Sequence, residues 1–355
     1  MIDEAVAGGW EHRRACSYLE LDEGRAWRWR RRCDAGCLED ERPGGRPVHG
    51  LRPEEVSAIL ELFETWGDVD RSHRKLAHRG SYLGLVWVSP ATVRRVLAAH
   101  GLVLQRPRRV KHPERRPFPE WADYQRNSIW IYDVTHFAGC PRHAVFAVMD
   151  LVTRKWLCEL VSIEETSTQV QVVFLDALES EGLLELVEAR QDAPPADTFP
   201  FDAEVEVQAP PILLAVSDNG PQMTSVDTRA FMAMCAIAQH FGRPGTPTDQ
   251  AWIESLFSHV KADWPQLDRI RDPEILRAEL AEVRHQYNTV RLHAGIGYVT
   301  PADEHDGRGP RIRAARKRGL RHARWARITY HRLQHAKANR RAPPMRRNSL
   351  SDLWL

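Results

Sequence analysis

The sequence predicts an α/β protein, a mixed five-stranded sheet flanked by helices, preceded by an all-α region. Three observations predict it. The first hundred residues carry apolar side chains at helical spacing and no strand-like alternation. Residues 128–163 switch to three short β-rich runs with turn residues between them. Beyond them, strand and helix signals alternate as far as residue 288.

Two helical units open the chain. In the first, residues 15–32 place Leu19 and Leu21 before a break at Gly24, and Trp27 and Trp29 among arginines after it. In the second, residues 51–68 carry Val56, Ile59, Leu60 and Phe63 at helical spacing, with Pro53 in the first turn and Gly67 as a stop. The strings RSHRKLAHRG and SPATVRRVLAAHG give two more short helices, the last with Ser89 as N-cap and Gly101 as C-cap. Three short helices ending in one that carries Arg94 and Arg95 have the layout of a helix-turn-helix, whose last helix would enter a DNA major groove. A plain bundle with an arginine-rich surface gives the same pattern. The run at 105–117, with Arg106, Arg108, Arg109 and Lys111, is too proline-rich for a regular helix and reads as an extended basic linker able to contact DNA.

Residues 128–137, 143–152 and 155–163 read as an antiparallel meander, with Gly139, Pro141 and Thr153-Arg154 at the turns. A helix over 166–190 rests on Val170, Val173, Phe174, Leu178, Leu183 and Leu186, and the Pro- and acid-rich stretch 192–211 reads as a surface loop. ILLAVSDNG is a buried strand closing on an Asn219-Gly220 turn. Then come a helix around 225–235, a short strand near 236–241, a Gly/Pro turn, a helix from about residue 249 and another at 272–288. This is the element order of a ribonuclease H-like fold. The boundaries predicted are a first helical unit at 1–45, a helix-turn-helix domain at 46–104, the linker at 105–126, the core at 127–303 and an arginine-rich tail at 304–355.

With 43% hydrophobic and 28% charged residues, the 355-residue chain is not disordered overall. No stretch reaches the roughly 20 apolar residues of a membrane span, and the start lacks the apolar segment of a secretory signal, so a cytoplasmic protein with no membrane partner is expected. The six cysteines are scattered as reduced thiols would be, and Cys33 and Cys37 lack a second ligand pair at zinc spacing. The net charge of +2 hides an asymmetry: residues 308–347 hold 15 Lys or Arg and no acid, which leaves −13 on the rest of the chain. Residues 159–206 carry 13 acids against the single base Arg190. Basic segments beside an acidic body suit a polyanion, nucleic acid above all; a solvated tail is the plainer alternative.

With 48 acids in the chain, context must select among them. Asp133 lies within an apolar strand, where a carboxylate needs a partner or a metal. Asp218 ends another. Glu254 falls in a helix whose apolar stripe is Ile253, Leu256, Phe257 and Val260, and shares a separate polar stripe with Ser258 and Lys261. Three carboxylates with no Cys/His set suit magnesium or manganese. Asp150, at the end of the second strand, suits a turn better than a site.

The strings IYDVTHF, SDNGPQMTS, GRPGTPTDQAWIESLFSHVK and QYNTVRLHAGIGYVTPADE resemble, in that order, the catalytic core of DDE transposases of bacterial insertion sequences, relatives of retroviral integrases. The resemblance covers about 127–303, and the 35 residues between Asp218 and Glu254 match that family's interval. It implies that Asp133, Asp218 and Glu254 form a metal-binding catalytic triad for two magnesium or manganese ions. Lys261 matches a helix lysine near DNA phosphate, and Asn288, Arg291 and His293 match a string serving either DNA contact or docking of the terminal helix. The implied function is metal-dependent DNA cleavage and strand transfer. Its partners would be double-stranded DNA, both terminal repeats and target, and further copies of the chain assembled on it, with room for a helper protein, at the bacterial nucleoid. The rivals are an inactive or regulatory DNA-binding relative and a plain nuclease of the same fold.

Overall fold

The computed structural model describes residues 1–34, 36, 47–102, 118–119, 122, 124–137, 142–191, 211–242 and 251–341. It divides into two compact units, Met1–Gly50 and Leu51–Leu355.

The first unit is three helices, α1 (Ile2–Ala7), α2 (His12–Tyr18) and α3 (Glu23–Asp34). The expected break at Gly24 falls earlier: α2 ends at Tyr18, Glu20 takes a positive φ of 53°, and Gly24 lies in the first turn of α3. Trp27 and Trp29 are exposed, with the guanidinium groups of Arg31 and Arg25 over their rings at 5.6 and 5.1 Å.

The second unit begins with α4 (Pro53–Trp66), α5 (His73–Tyr82) and α6 (Pro90–Ala99), packed around Ile59, Leu62, Leu76, Ala77, Val93 and Leu97. Its ends follow the sequence signals. Pro53 opens α4, Gly67 follows it, and the Ser89 hydroxyl accepts the Thr92 N–H at 3.2 Å. Gly80 permits close packing, since a Cβ there would come within 2.8 Å of Val86 and 2.9 Å of Leu62.

The sheet comprises β1 (Ile129–Phe137), β2 (His143–Asp150), β3 (Trp156–Ser162), β4 (Leu213–Ser217) and β5 (Ile237–Phe241), ordered β3-β2-β1-β4-β5. β1, β2 and β3 are antiparallel neighbours, whereas β4 runs parallel to β1 and β5 parallel to β4. That mixed five-stranded order is ribonuclease H-like. The helix expected over 166–190 is two, α7 (Ser167–Ser180) and α8 (Leu184–Gln191), broken where Gly182 takes φ 68°. After β4 the Asn219-Gly220 pair does not form the expected reversing turn: Gly220 is extended, at φ −58° and ψ 147°, and caps the short α9 (Pro221–Thr224). α7 and α10 (Val226–Met234) supply Val170, Phe174 and Phe231 to the core on one face of the sheet. α11 (Ala251–Asp263) and α12 (Pro273–Thr289) supply Ile253, Leu256, Leu276 and Leu280 to the core on the other.

The arginine-rich tail is helical over most of its length. Past α13 (Pro301–His305), residues Gly309–Arg341 form one 33-residue helix, α14. Its arginines and alanines are good helix formers, and its inner face is held by contacts with the rest of the unit. Arg316 donates to the carbonyls of Gly297 and Tyr298 at 2.9 and 2.7 Å and to the Ser81 hydroxyl at 3.0 Å. Arg327 binds the Glu55 carboxylate at 2.9 Å and the Trp87 carbonyl at 2.6 Å. Part of the predicted polycation is therefore structural. Gly319 lies against the Trp87 indole, where any Cβ would overlap the ring. Gly319→Val should cost about 1–3 kcal/mol in denaturant unfolding and expose α14 to protease, whereas Ala315→Val on the exposed side should do neither.

Candidate active site

Register aligns the strand stretches that lead to the first two carboxylates. β1 and β4 pair in parallel with Ile129 opposite Leu214, Trp130 opposite Ala215 and Ile131 opposite Val216. The last pair lies two residues before Asp133, in β1, and two before Asp218, which follows the end of β4. Side chains alternate along a strand, so Asp133 shares a face with Ile129 and Ile131, the face that Leu214 and Val216 present on β4. All four apolar residues belong to the core that contains Ile253, Leu256, Phe257 and Val260 of α11. Glu254 is carried by that helix. Its stripe is as expected: the four apolar residues are buried, Glu254 and Ser258 are exposed, and Lys261 is half-buried with Nζ 5.5 Å from the centroid of the Phe137 ring.

Electrostatics couples the three acids. Burial pushes the Asp133 carboxyl up to about 7, and the negative charges of Asp218 and Glu254 push the same way, against the pull of the Val134 N–H. Asp133 Oδ1 accepts that N–H at 2.8 Å, and Asp218 Oδ1 accepts from Gly220 N at 2.9 Å. The Asn219 amide donates to the Gly242 carbonyl at 2.8 Å and Gly242 N to the Ser217 carbonyl at 2.9 Å, tying the ends of β4 and β5. Among the described residues, no three His, Cys, Asp or Glu side chains stand close enough to hold a metal ion. The donor set still fits a hard divalent cation in kind: all oxygen, with one carboxyl raised chiefly by burial and further by the two other charges.

The other sequence candidates are dispersed. Arg94 and Arg95 are exposed on α6 and, with His73, Arg74, His78, Ser89 and Tyr298, line a cavity of about 800 Å³. Arg106, Arg108, Arg109 and Lys111 lie outside the described residues. Arg291 donates to Asp263 at 3.1 Å, tying α12 to α11. Asn288 brackets the backbone of Trp156, donating to its carbonyl at 2.8 Å and accepting its N–H at 2.9 Å, and so docks α12 on β3. His293 caps the 3₁₀ turn Ala294–Ile296 by accepting Gly295 N at 3.2 Å. Asp150 is buried and accepts the N–H groups of Asn127, Val152 and Thr153 at 2.6, 2.8 and 2.9 Å, a turn role. Sequence reasoning passed over Lys75, half-buried on α5: burial pushes its amine down to about 8, and the Arg291 charge adds to this.

Residues 123–247 match one family described as an integrase core domain, and residues 235–301 match a second of the same description. Residues 123–301 are an integrase core. The core contains all three carboxylates and both β1 and β4, and its family of transposases and integrases is a polynucleotidyl transferase class. Over 99 residues the chain is 29% identical to a transposase for insertion sequence element IS904 of Lactococcus lactis subsp. lactis (strain IL1403), covering 26% of this chain and 37% of that one. Over 89 residues it is 33% identical to an insertion element IS476 uncharacterized 39.2 kDa protein of Xanthomonas euvesicatoria, covering 24% and 25%. The matched stretches thus span about a third of the first relative's length and a quarter of the second's. Among solved structures, the catalytic core domain of BIV integrase superposes with TM-score 0.33 at 19% identity, covering 51% of this chain and 95% of that one. That of HTLV-2 integrase in complex with magnesium gives TM-score 0.35 at 18% identity, covering 51% and 97%. No helix among the described residues is long and apolar enough to cross a membrane.

Proposed function

We propose that this chain is a DNA strand-transferase, the transposase of an insertion sequence, with Asp133, Asp218 and Glu254 as its catalytic and metal-binding residues. The observation that supports the reading is the β1–β4 register: its last pair, Ile131 opposite Val216, lies two residues before Asp133 and Asp218, and both strands pack against the helix that carries Glu254. Asp133 and Asp218 would hold two magnesium or manganese ions from the sheet edge, and Glu254 would close the set from α11. Bound there, these ions supply activation of the attacking oxygen and stabilisation of the leaving oxygen of a phosphodiester. Lys261, seven residues beyond Glu254 on the same stripe, supplies a cation for the adjoining DNA phosphate. Residues 46–104 serve as the helix-turn-helix that finds the terminal repeats, with Arg94 and Arg95 on its exposed last helix, and 105–126 as a basic linker to the core at 127–303. Pairing two DNA ends requires at least two copies on the DNA. A bacterial, nucleoid-associated location follows from that substrate.

The test is incubation with labelled DNA from the ends of the encoding element, with magnesium, manganese or chelator. Metal-dependent joined products support the reading. Nicking without joining favours the plain nuclease, and end binding with no product favours a regulatory relative. Deleting residues 1–105 should remove end selectivity in the presence of competitor DNA; unchanged selectivity would overturn the helix-turn-helix assignment.

A further inference from the structure

α14 has two unlike faces. Its inner stripe, Arg313, Arg316, Ala323 and Arg327, is half-buried or buried, and its three arginines bind Glu304, backbone carbonyls, the Ser81 hydroxyl and Glu55. At 100° per residue, Arg311, Arg318, Arg321 and Arg332 project from the other side of the helix, together with Trp325, and Arg324 from the flank beside Arg313. All six are exposed, Trp325 at 65%. None of those five arginines has an ion pair among the described residues. Arg318 and Arg321, and Arg321 and Arg324, are three residues apart, a spacing at which like charges destabilise an exposed helix. Packing does not require this face, since the helix is seated by its inner arginines together with Gly319 and Ala323.

We infer that the outer face of α14 is a fixed binding surface for the sugar-phosphate backbone of duplex DNA. Charge complementarity selects the occupant: five guanidinium groups with no ion pair among the described residues, over about 30 Å of rigid helix with no acid between residues 308 and 347, match a regular row of phosphates. Guanidinium suits bidentate phosphate contact, and the exposed indole adds apolar contact with the sugars. The inner contacts hold this row in place relative to α4, through Glu55, and to the segment around Gly297 and Tyr298. The inference deepens the strand-transfer reading and rests on it for the choice of DNA as the polyanion. It can nevertheless fail separately, because it concerns binding without chemistry.

The experiment is fluorescence anisotropy of the full-length protein with a labelled duplex of arbitrary sequence, metal-free, over a series of salt concentrations. Replacing the five arginines together (R311Q, R318Q, R321Q, R324Q, R332Q) should lower the slope of log affinity against log salt by about 3–5, near one for each phosphate no longer neutralised. The matching set of lysine substitutions should keep the slope within about 1 of wild type. Circular dichroism and the unfolding midpoint should not change, since the inner stripe is untouched; R318Q, R321Q and R324Q alone form a milder set that should lower the slope by about 2–3. An unchanged slope in folded protein overturns the inference. So does a change of oligomeric state in sedimentation with DNA affinity intact, which would make the acidic surface of a second copy the occupant. Loss of joining activity bears on the triad and leaves this result as it stands.

Discussion

Asp133→Asn should reduce DNA joining at least about 10³-fold, equivalent to about 4 kcal/mol of transition-state stabilisation, while making the metal-free protein more stable at pH 8. The two effects share one cause. In the folded protein the carboxyl is pushed up to about 7 by burial and by the neighbouring Asp218 and Glu254 charges, against 3.8 for the free side chain. The folded state therefore holds this proton more tightly than the unfolded state does. Stability contributed by the protonated form is present below about pH 4, is lost as pH rises through 7, and is gone above it. That gap corresponds to an upper bound of roughly 4 kcal/mol. Asparagine carries no charge, so the variant should lack this part of the decline between pH 5 and 8 in denaturant titrations. Ligand exchange follows the same sign: a divalent cation must displace the proton, so wild-type affinity for magnesium or manganese should fall as pH drops below about 7. If Asp133→Asn left joining intact, or destabilised the metal-free protein at pH 8, the assignment of Asp133 would be wrong.

Arg79→Met should destabilise the second unit by about 3–5 kcal/mol, the cost of leaving a buried charge without its partner. Asp70 and Arg79 are 0% and 2% exposed, with Arg79 Nε 2.7 Å from Asp70 Oδ2. The guanidinium also donates to the Val290 carbonyl at 2.7 Å and lies 4.1 Å from the centroid of the Trp66 ring. One side chain thus joins the end of α4, helix α5 and the end of α12. Pairing Arg79→Met with Asp70→Leu should recover most of the loss, because the orphaned carboxylate is removed with its partner. Chemical denaturation of the two single variants and the double variant measures this cycle. A single variant losing less than about 1 kcal/mol, in the range of exposed pairs, would mean that the bridge is not closed to water in solution.

The strands were legible because each buries an apolar run between turns, and α11 because Ile253, Leu256, Phe257 and Val260 leave Glu254 on another stripe. The alignment of the strand stretches that lead to Asp133 and Asp218 was not legible as geometry. It depends on β1 and β4 being parallel neighbours, although 75 residues of other elements separate Phe137 from Leu213. The order of β5 beside β4 was hidden for the same reason. Hydropathy also could not divide the arginines of α14. Arg316, buried against backbone carbonyls, and Arg318, in solvent, look alike until the partners Gly297 and Tyr298 are in place. No local signal in the sequence says that Asp70 and Arg79 meet. Gly182 read as part of a continuous helix because the apolar residues on both sides of it keep helical spacing.

The most direct test of the central claim is strand transfer in vitro with labelled terminal DNA and manganese or magnesium, comparing wild type with Glu254→Gln. Glu254 is exposed on a helix already docked by its apolar stripe, so the substitution should leave the fold and DNA binding unchanged. Joined products from the wild type and none from the variant, at equal end binding, is the result predicted. Joined products from Glu254→Gln would contradict the triad.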